Sequence, residues 1–263
     1  MSSHIPRKRF GQNFLQDQGV IHGIIAAIDP RPGDVLVEIG PGLAALTEPL
    51  MQRAGKLHVV EIDRDIVSHL STRFSPEQLV IHNADALKFD FAALAAEISP
   101  NATIRLAGNL PYNISTPLLF HLASFGAAIS DMHFMLQKEV VDRMVAEPGT
   151  TDYGRLSVML QVRFNMDKVL DVPPTAFYPP PKVDSSVVRM MPWASNPWPV
   201  GDLGALEKLV TTAFGQRRKT IRNNLKGIAD DAQLAAAGIE PGWRPENVTV
   251  GQYVALANLL AAH

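Results

Sequence analysis

Short apolar runs alternate along most of this chain with longer stretches whose apolar positions recur at helical spacing. The first helical stretch carries Val20, Ile21, Ile24, Ile25 and Ile28 on one face and is closed by Asp29-Pro30 and Pro32-Gly33. Val35 to Ile39 then reads as a short buried strand, followed by Gly40-Pro41-Gly42 and a helix from about Leu43 to Arg53. Leu57 to Ile62, Leu79 to Ile81, Ile104 to Ala107 and Met132 to Leu136 read as further strands, with helices opening near Pro117 and Gln137. Alternation of this kind predicts an α/β fold: a parallel sheet covered by helices on both faces, with ligands gathered at the carboxyl ends of the strands.

Tyr153 to Phe164 reads as one more helix, and Val169 to Val172 and Val183 to Met190 as two late strands around a proline-rich loop, Pro173 to Lys182. Pro192, Pro197, Pro199 and Gly201, with little apolar periodicity between them, mark a linker. Beyond it the pattern is wholly helical. Leu206, Leu209, Val210, Ala213 and Phe214 share a face, Asp230 caps a short helix stopped by Gly238, and Thr249-x-x-Gln252 is a capping box. The expected organisation is a catalytic domain over residues 1–191, a linker over 192–201 and a small all-helical domain over 202–263.

Composition narrows the field. At 263 residues, 46% apolar and 19% charged, the chain is long enough for one large core, or for one large and one small. It has neither a signal-peptide pattern nor an apolar run long enough to span a bilayer, so no membrane is expected and the cytoplasm is the expected compartment. The absence of cysteine excludes disulfides, thiolate zinc sites and cysteine nucleophiles. The eight histidines show no metal-binding spacing, and no metal is expected. A net charge of −2 argues against a surface that binds nucleic acid everywhere. The cations are bunched instead: Arg7, Lys8 and Arg9 near the start, and Arg217, Arg218, Lys219, Arg222 and Lys226 with no acid among them. Two such clusters in a near-neutral chain point to a local anionic partner.

The chemistry lies at the strand ends. Glycines after a first strand let the chain turn tightly and bring backbone N–H groups up to a ligand, here in Glu38-Ile39-Gly40-Pro41-Gly42. Glu61, ending the second strand, is placed to accept both hydroxyls of a ribose. Together these indicate a nucleoside-bearing cofactor without saying which. Gly40-x-Gly42-x-x-Ala45 with Glu61 also satisfies the dinucleotide fingerprint, so a dehydrogenase competes. Three features favour S-adenosylmethionine. Glu38 would repel a pyrophosphate yet suits a cationic amino-acid group, Asp85 after the third strand can accept from an adenine amine, and the loop after the fourth strand lacks a hydride-transfer proton relay. That loop is Asn109-Leu110-Pro111-Tyr112. It offers an amide, a carbonyl held extended by Pro111, and a flat ring, a set suited to gripping an aromatic amine.

Seven segments in order resemble the motif series of the ribosomal RNA adenine N6-dimethyltransferases. They begin at Arg9, Glu38, Glu61, Asn83, Asn109, Tyr153 and Phe177, and the bacterial small-subunit branch is closest in length and C-terminal domain. The resemblance implies a Rossmann-like S-adenosylmethionine-dependent methyltransferase sheet, with Asn13, Leu15, Gly40, Glu61, Asp85 and Asn109 touching the cofactor. Glu38 and Gly42 join them from the glycine turn. It also implies the substrate, two adjacent adenosines in the 3′-terminal hairpin of 16S rRNA, and a 23S rRNA methyltransferase of the macrolide-resistance type is the alternative. The Asn109 side-chain oxygen and the Leu110 carbonyl are assigned to the target amine. Tyr112 is placed beneath the splayed base and Phe177 above it. The two basic clusters are assigned to RNA phosphates, and a monomer is expected.

Overall fold

The computed structural model describes residues 13–111 and 113–261. They form two compact units. The first comprises the chain up to Val141 together with Asp167–Pro192; the second comprises Asp142–Met166 and the chain from Trp193 onward.

In the first unit, β1 (Phe14–Leu15) leads into α1 (Gln18–Ile28), whose Asp17 side chain caps the helix by accepting from the Val20 N–H. Ile21, Ile24, Ile25 and Ile28 are its buried face. Then follow β2 (Leu36–Ile39), α2 (Thr47–Ala54), β3 (Leu57–Glu61), α3 (Arg64–Arg73), β4 (Leu79–Asn83) and α4 (Phe91–Ile98). After these come β5 (Ile104–Asn109), α5 (Ser115–Ala123), β6 (Ile129–Gln137) and α6 (Lys138–Val145), whose last residues already belong to the second unit; α7 (Arg155–Gln161) lies in that second unit, and the chain returns through β7 (Phe164–Val172), β8 (Phe177–Tyr178) and β9 (Ser185–Pro192).

The main sheet runs β4-β3-β2-β5-β6-β9-β7, parallel from β4 to β6, with β9 antiparallel to β6. All four residues of β2 are buried, the signature of a strand covered on both faces. β1 and β8 form a separate two-stranded ribbon that pairs Phe14 with Tyr178 and Leu15 with Phe177. Chain winding reverses between β2 and β5, which makes the crevice at their carboxyl ends the topological switch point. Gly108 lets these two strands close up, since a Cβ there would lie 2.4 Å from the Ile39 carbonyl oxygen.

Two boundaries differ from expectation. α2 starts at Thr47 rather than Leu43, because Gly42 and Ala44 both take positive φ (54° and 71°) and hold residues 42–46 in turns. The helix expected from Tyr153 to Phe164 is confined to α7. Gly154 opens it with its N–H on Ser157 Oγ, and Phe164 already belongs to β7.

The second unit contains α7, α8 (Leu203–Ala213), α9 (Ile221–Asn224), α10 (Asp231–Ala236) and α11 (Val250–Ala261). Asp142–Met166, which the sequence pattern groups with the catalytic domain, belongs here by packing. The Tyr153 ring meets Phe214 edge-on at 6.2 Å, and Phe214 meets Tyr253 at 5.9 Å. Asp230 with Gln233, and Thr249 with Gln252, form reciprocal caps on α10 and α11. No helix among the described residues is long and apolar enough to cross a membrane.

Candidate functional site

A cavity of about 360 Å³ opens at the carboxyl ends of β2, β3, β4 and β5. Its wall includes Asn13 and Leu15 from the N-terminal ribbon, Glu38, Gly40 and Gly42 around the first turn, and Glu61, Asp85 and Asn109 after three further strands. All eight residues assigned to the cofactor therefore share one cavity, with Leu110 and Pro111 at its edge. Tyr112, Arg7, Lys8 and Arg9 lie outside the described residues.

Each wall residue has a local reason for its place. Gly40 adopts a φ of 68°, its N–H bonds the Val60 carbonyl, and a Cβ there would stand 3.8 Å from the Asn109 carbonyl oxygen. Glu61 accepts the Asp63 N–H at 2.8 Å through Oε1, which fixes the carboxyl at the end of β3. Asp85 accepts the Leu87 N–H at 3.0 Å, and the Asn83 amide holds the Glu61 carbonyl at 2.8 Å, so the two acid-bearing strand ends are tied together. Asn109 donates its side-chain nitrogen to the Asn13 carbonyl at 3.3 Å. That bond commits the amide nitrogen and leaves Oδ1 to accept from a ligand. Leu110 is anchored by its N–H on the Met135 carbonyl at 3.1 Å.

The cavity is acidic and carries no described cation: no Lys, Arg or His is among its lining residues. Burial pushes Glu38 up to about 8; the Thr47 hydroxyl, 2.6 Å from Oε2, pulls the other way, and the nearby Glu61 adds to the rise. Burial also raises Glu61, opposed by hydrogen bonds from the backbone of Asp63, Ile62 and Gly42. Such a site disfavours phosphates and suits a ligand with positive charge. The helix start is also withdrawn to Thr47, so the N–H cradle that a pyrophosphate uses does not follow the glycines directly. The wall also carries apolar residues next in sequence to these acids, Ile62, Ala86 and Leu87. Sequence reasoning missed Ile62, which is half-exposed although it directly follows the acid ending β3. An apolar residue left in the open beside a ligand-facing acid was the available signal.

Phe177 is not brought to the cavity. It is buried, 5% exposed, within the core cluster that includes Leu15, Ile21 and Ala176. β8 alternates, so the exposed ring of this ribbon is Tyr178, at 63%. The expectation that Phe177 stands free as a stacking ring is corrected accordingly: its contacts in this structure are those of a core residue.

The basic cluster in the second unit divides in two. Arg217 donates to the carbonyls of Thr151 (2.8 Å) and Tyr153 (3.0 Å), and Arg222 makes a two-pronged pair with Asp231 at 2.7 and 2.6 Å. All five cations, Arg217, Arg218, Lys219, Arg222 and Lys226, are exposed.

A sheet parallel from β4 to β6, with an acid-rimmed cavity at its switch point that no described cation lines and an amide-bearing loop on the cavity's lip, defines an S-adenosylmethionine-dependent methyltransferase of Rossmann-like architecture. Comparison with known proteins narrows this class. A family model described as ribosomal RNA adenine dimethylase matches residues 3–262. A protein named ribosomal RNA small subunit methyltransferase A from Laribacter hongkongensis is 64% identical over 98% of this chain and 97% of its own length. One of the same name from Chromobacterium violaceum is 62% identical, covering 99% and 97%. Among solved structures, a dimethyladenosine transferase from Plasmodium falciparum matches with a TM-score of 0.78 at 26% identity, covering 92% of this chain and 95% of that one. The 23S rRNA methyltransferase ErmE matches with a TM-score of 0.72 at 27% identity, covering 95% and 100%. The chain belongs to the ribosomal RNA adenine dimethylase family and is a methyltransferase acting on ribosomal RNA.

Proposed function

We propose that this enzyme methylates the N6 amines of two adjacent adenosines in the 3′-terminal hairpin of 16S rRNA, giving N6,N6-dimethyladenosine during small-subunit assembly in the cytoplasm. The observation that carries this reading is the placement of Asn109: its amide nitrogen is bound by Asn13 and its oxygen is left for a ligand at the lip of the acidic cavity. S-adenosylmethionine, when bound, supplies an activated methyl group. Glu61 is assigned to the ribose hydroxyls, Asp85 to the adenine amine, Glu38 to the amino-acid end, and Gly40 and Gly42 to close backbone approach.

An adenine amine is a weak nucleophile because its lone pair is delocalised into the ring. Asn109 Oδ1 and the Leu110 carbonyl accept from its two N–H groups, drawing the nitrogen towards pyramidal geometry and aiming its lone pair into the cavity. The proton leaves after the methyl group has arrived, so no tuned general base is required. Positioning supplies several kcal/mol of the rate enhancement. Tyr112 is assigned to the face of the splayed base. The helical unit, through the exposed Arg217, Arg218, Lys219, Arg222 and Lys226, and the Arg7-Lys8-Arg9 segment are assigned to phosphate contacts. The two small-subunit relatives match at 64% and 62% identity against 27% for the 23S enzyme, which disfavours the large-subunit alternative. Incubation with labelled S-adenosylmethionine and under-methylated small subunits should yield dimethyladenosine on nucleoside analysis. Label confined to the large subunit would overturn the substrate assignment.

A further inference from the structure

Thr47 has no part in the chemistry described so far, yet it is fully buried at the start of α2 with its hydroxyl on Glu38 Oε2 at 2.6 Å. The carboxyl it grips is 2% exposed and lines the cofactor cavity. Among the described residues, the titratable groups that line its cavity are acids: Glu61 from β3 and Asp85 beyond β4, with Asp63 buried two residues past Glu61. On α2, the adjacent Glu48 is paired with Arg73. On β5 the charged side chain is Arg105, which is engaged with Asp34 and Asp131 at the other end of the strand. A buried carboxylate without a counter-charge is costly enough that the group keeps its proton until a cation arrives.

We propose that Glu38 carries a proton in the empty enzyme and releases it to solvent as the cofactor's ammonium group docks, with Thr47 the positioning residue that holds the resulting carboxylate. The Glu38 O–H bond breaks, its electron pair stays on oxygen, the proton passes to buffer, and the carboxylate pairs with the ammonium. Nothing is oxidised or reduced. The proposal rests on the assignment of Glu38 to the amino-acid end of S-adenosylmethionine. Its basis is geometric: a buried carboxyl, the acids Glu61 and Asp85 lining the same cavity, and one neutral donor fixing its orientation. The elevated proton affinity of Glu38 agrees with it.

The test is titration calorimetry of the full-length protein at pH 7 in two buffers of different ionisation enthalpy. For a group titrating at about 8 in the empty site, S-adenosylmethionine should displace about 0.9 proton per molecule bound. Glu38→Gln should displace close to none. Affinity of the unaltered protein should weaken about tenfold from pH 7 to pH 6, while that of Glu38→Gln stays flat. Thr47→Val should bind at least roughly tenfold more weakly at pH 7, with Thr47→Ser restoring the affinity. Tight binding without proton release, or equal release by the Gln variant, overturns the proposal. 5′-Methylthioadenosine, which lacks the amino-acid group, should bind without release. If it binds as tightly as S-adenosylmethionine, the underlying placement of the amino-acid end fails instead.

Discussion

Replacing Gly108 with alanine tests whether the spacing of β2 and β5 builds the site. Gly108 does not have a positive φ, so alanine suits its backbone conformation and the perturbation is purely steric. The added Cβ would stand 2.4 Å from the Ile39 carbonyl oxygen and 3.3 Å from its carbon, where ordinary contact begins near 3.4 Å. Backbone on one side must therefore retreat by about 1 Å. Overpacking of this kind costs about 1–3 kcal/mol, or a melting temperature lower by roughly 3 to 10 °C. The displaced residues are the ones that matter, because Gly108 directly precedes Asn109 and Ile39 directly precedes Gly40. A misplacement of about 1 Å at reacting groups lowers turnover by around a hundredfold. Thermal unfolding and single-turnover methyl transfer on small subunits measure the two effects. Gly215→Ala, whose new Cβ meets nothing within 4 Å, serves as the control. If Gly108→Ala melts and turns over like the unaltered protein, close strand approach does not set the geometry at Asn109.

Further expectations follow from individual contacts. Glu38→Gln should raise the stability of the cofactor-free protein near pH 8 by up to a few kcal/mol and change little at pH 4, by thermal unfolding across pH. The sign follows from a folded value of about 8 above an unfolded value near 4, so stability is lost as pH rises through that window. Arg105 donates to Asp34, Asp131 and the Ile28 carbonyl, and Arg105→Ala should cost about 2–3 kcal/mol while leaving cofactor affinity unchanged. Burial alone would raise Asp131, but hydrogen bonds from His133 and Arg105 hold it below the usual carboxylate range, so this loss should shrink as the pH falls below about 4. Phe177→Ala should cost about 3–5 kcal/mol and reduce cofactor binding together with methylation, as expected of a core residue. Replacing Lys219 or Lys226 should lower the salt dependence of RNA binding by about one unit of slope each, whereas Arg217→Ala should instead lower the melting temperature.

The cofactor side of the site was legible because it depends on strand ends, which residue type and spacing mark locally. A buried run such as Val35 to Ile39 followed by glycines has few ways to be read, and an acid closing the next run falls at the same edge of a parallel sheet. Phe177 was not legible in the same way. A proline-rich loop suggests exposure, yet the pairing of Leu15 with Phe177 turns that ring inward and Tyr178 outward, and a ribbon's facing is set by a partner strand far away in the chain. The basic cluster shows the same limit. Sequence shows five cations, but two are occupied by Asp231 and by backbone carbonyls that folding brings to them.

By itself the sequence determined the alternating architecture, the helical C-terminal segment, the acidic and cation-poor character of the cofactor residues, and the family. These follow from periodicity, capping and residue chemistry, which act over a few positions. Only the tertiary structure decided that α2 starts at Thr47, that Asp142–Met166 belongs with the helical unit, and that the Asn109 amide is oriented by Asn13. It also decided that Glu38 has a buried hydroxyl for a partner and, among the described residues, no cation. Each of these depends on which distant groups exclude water from one another, and burial of that kind exists only once the chain has closed on itself.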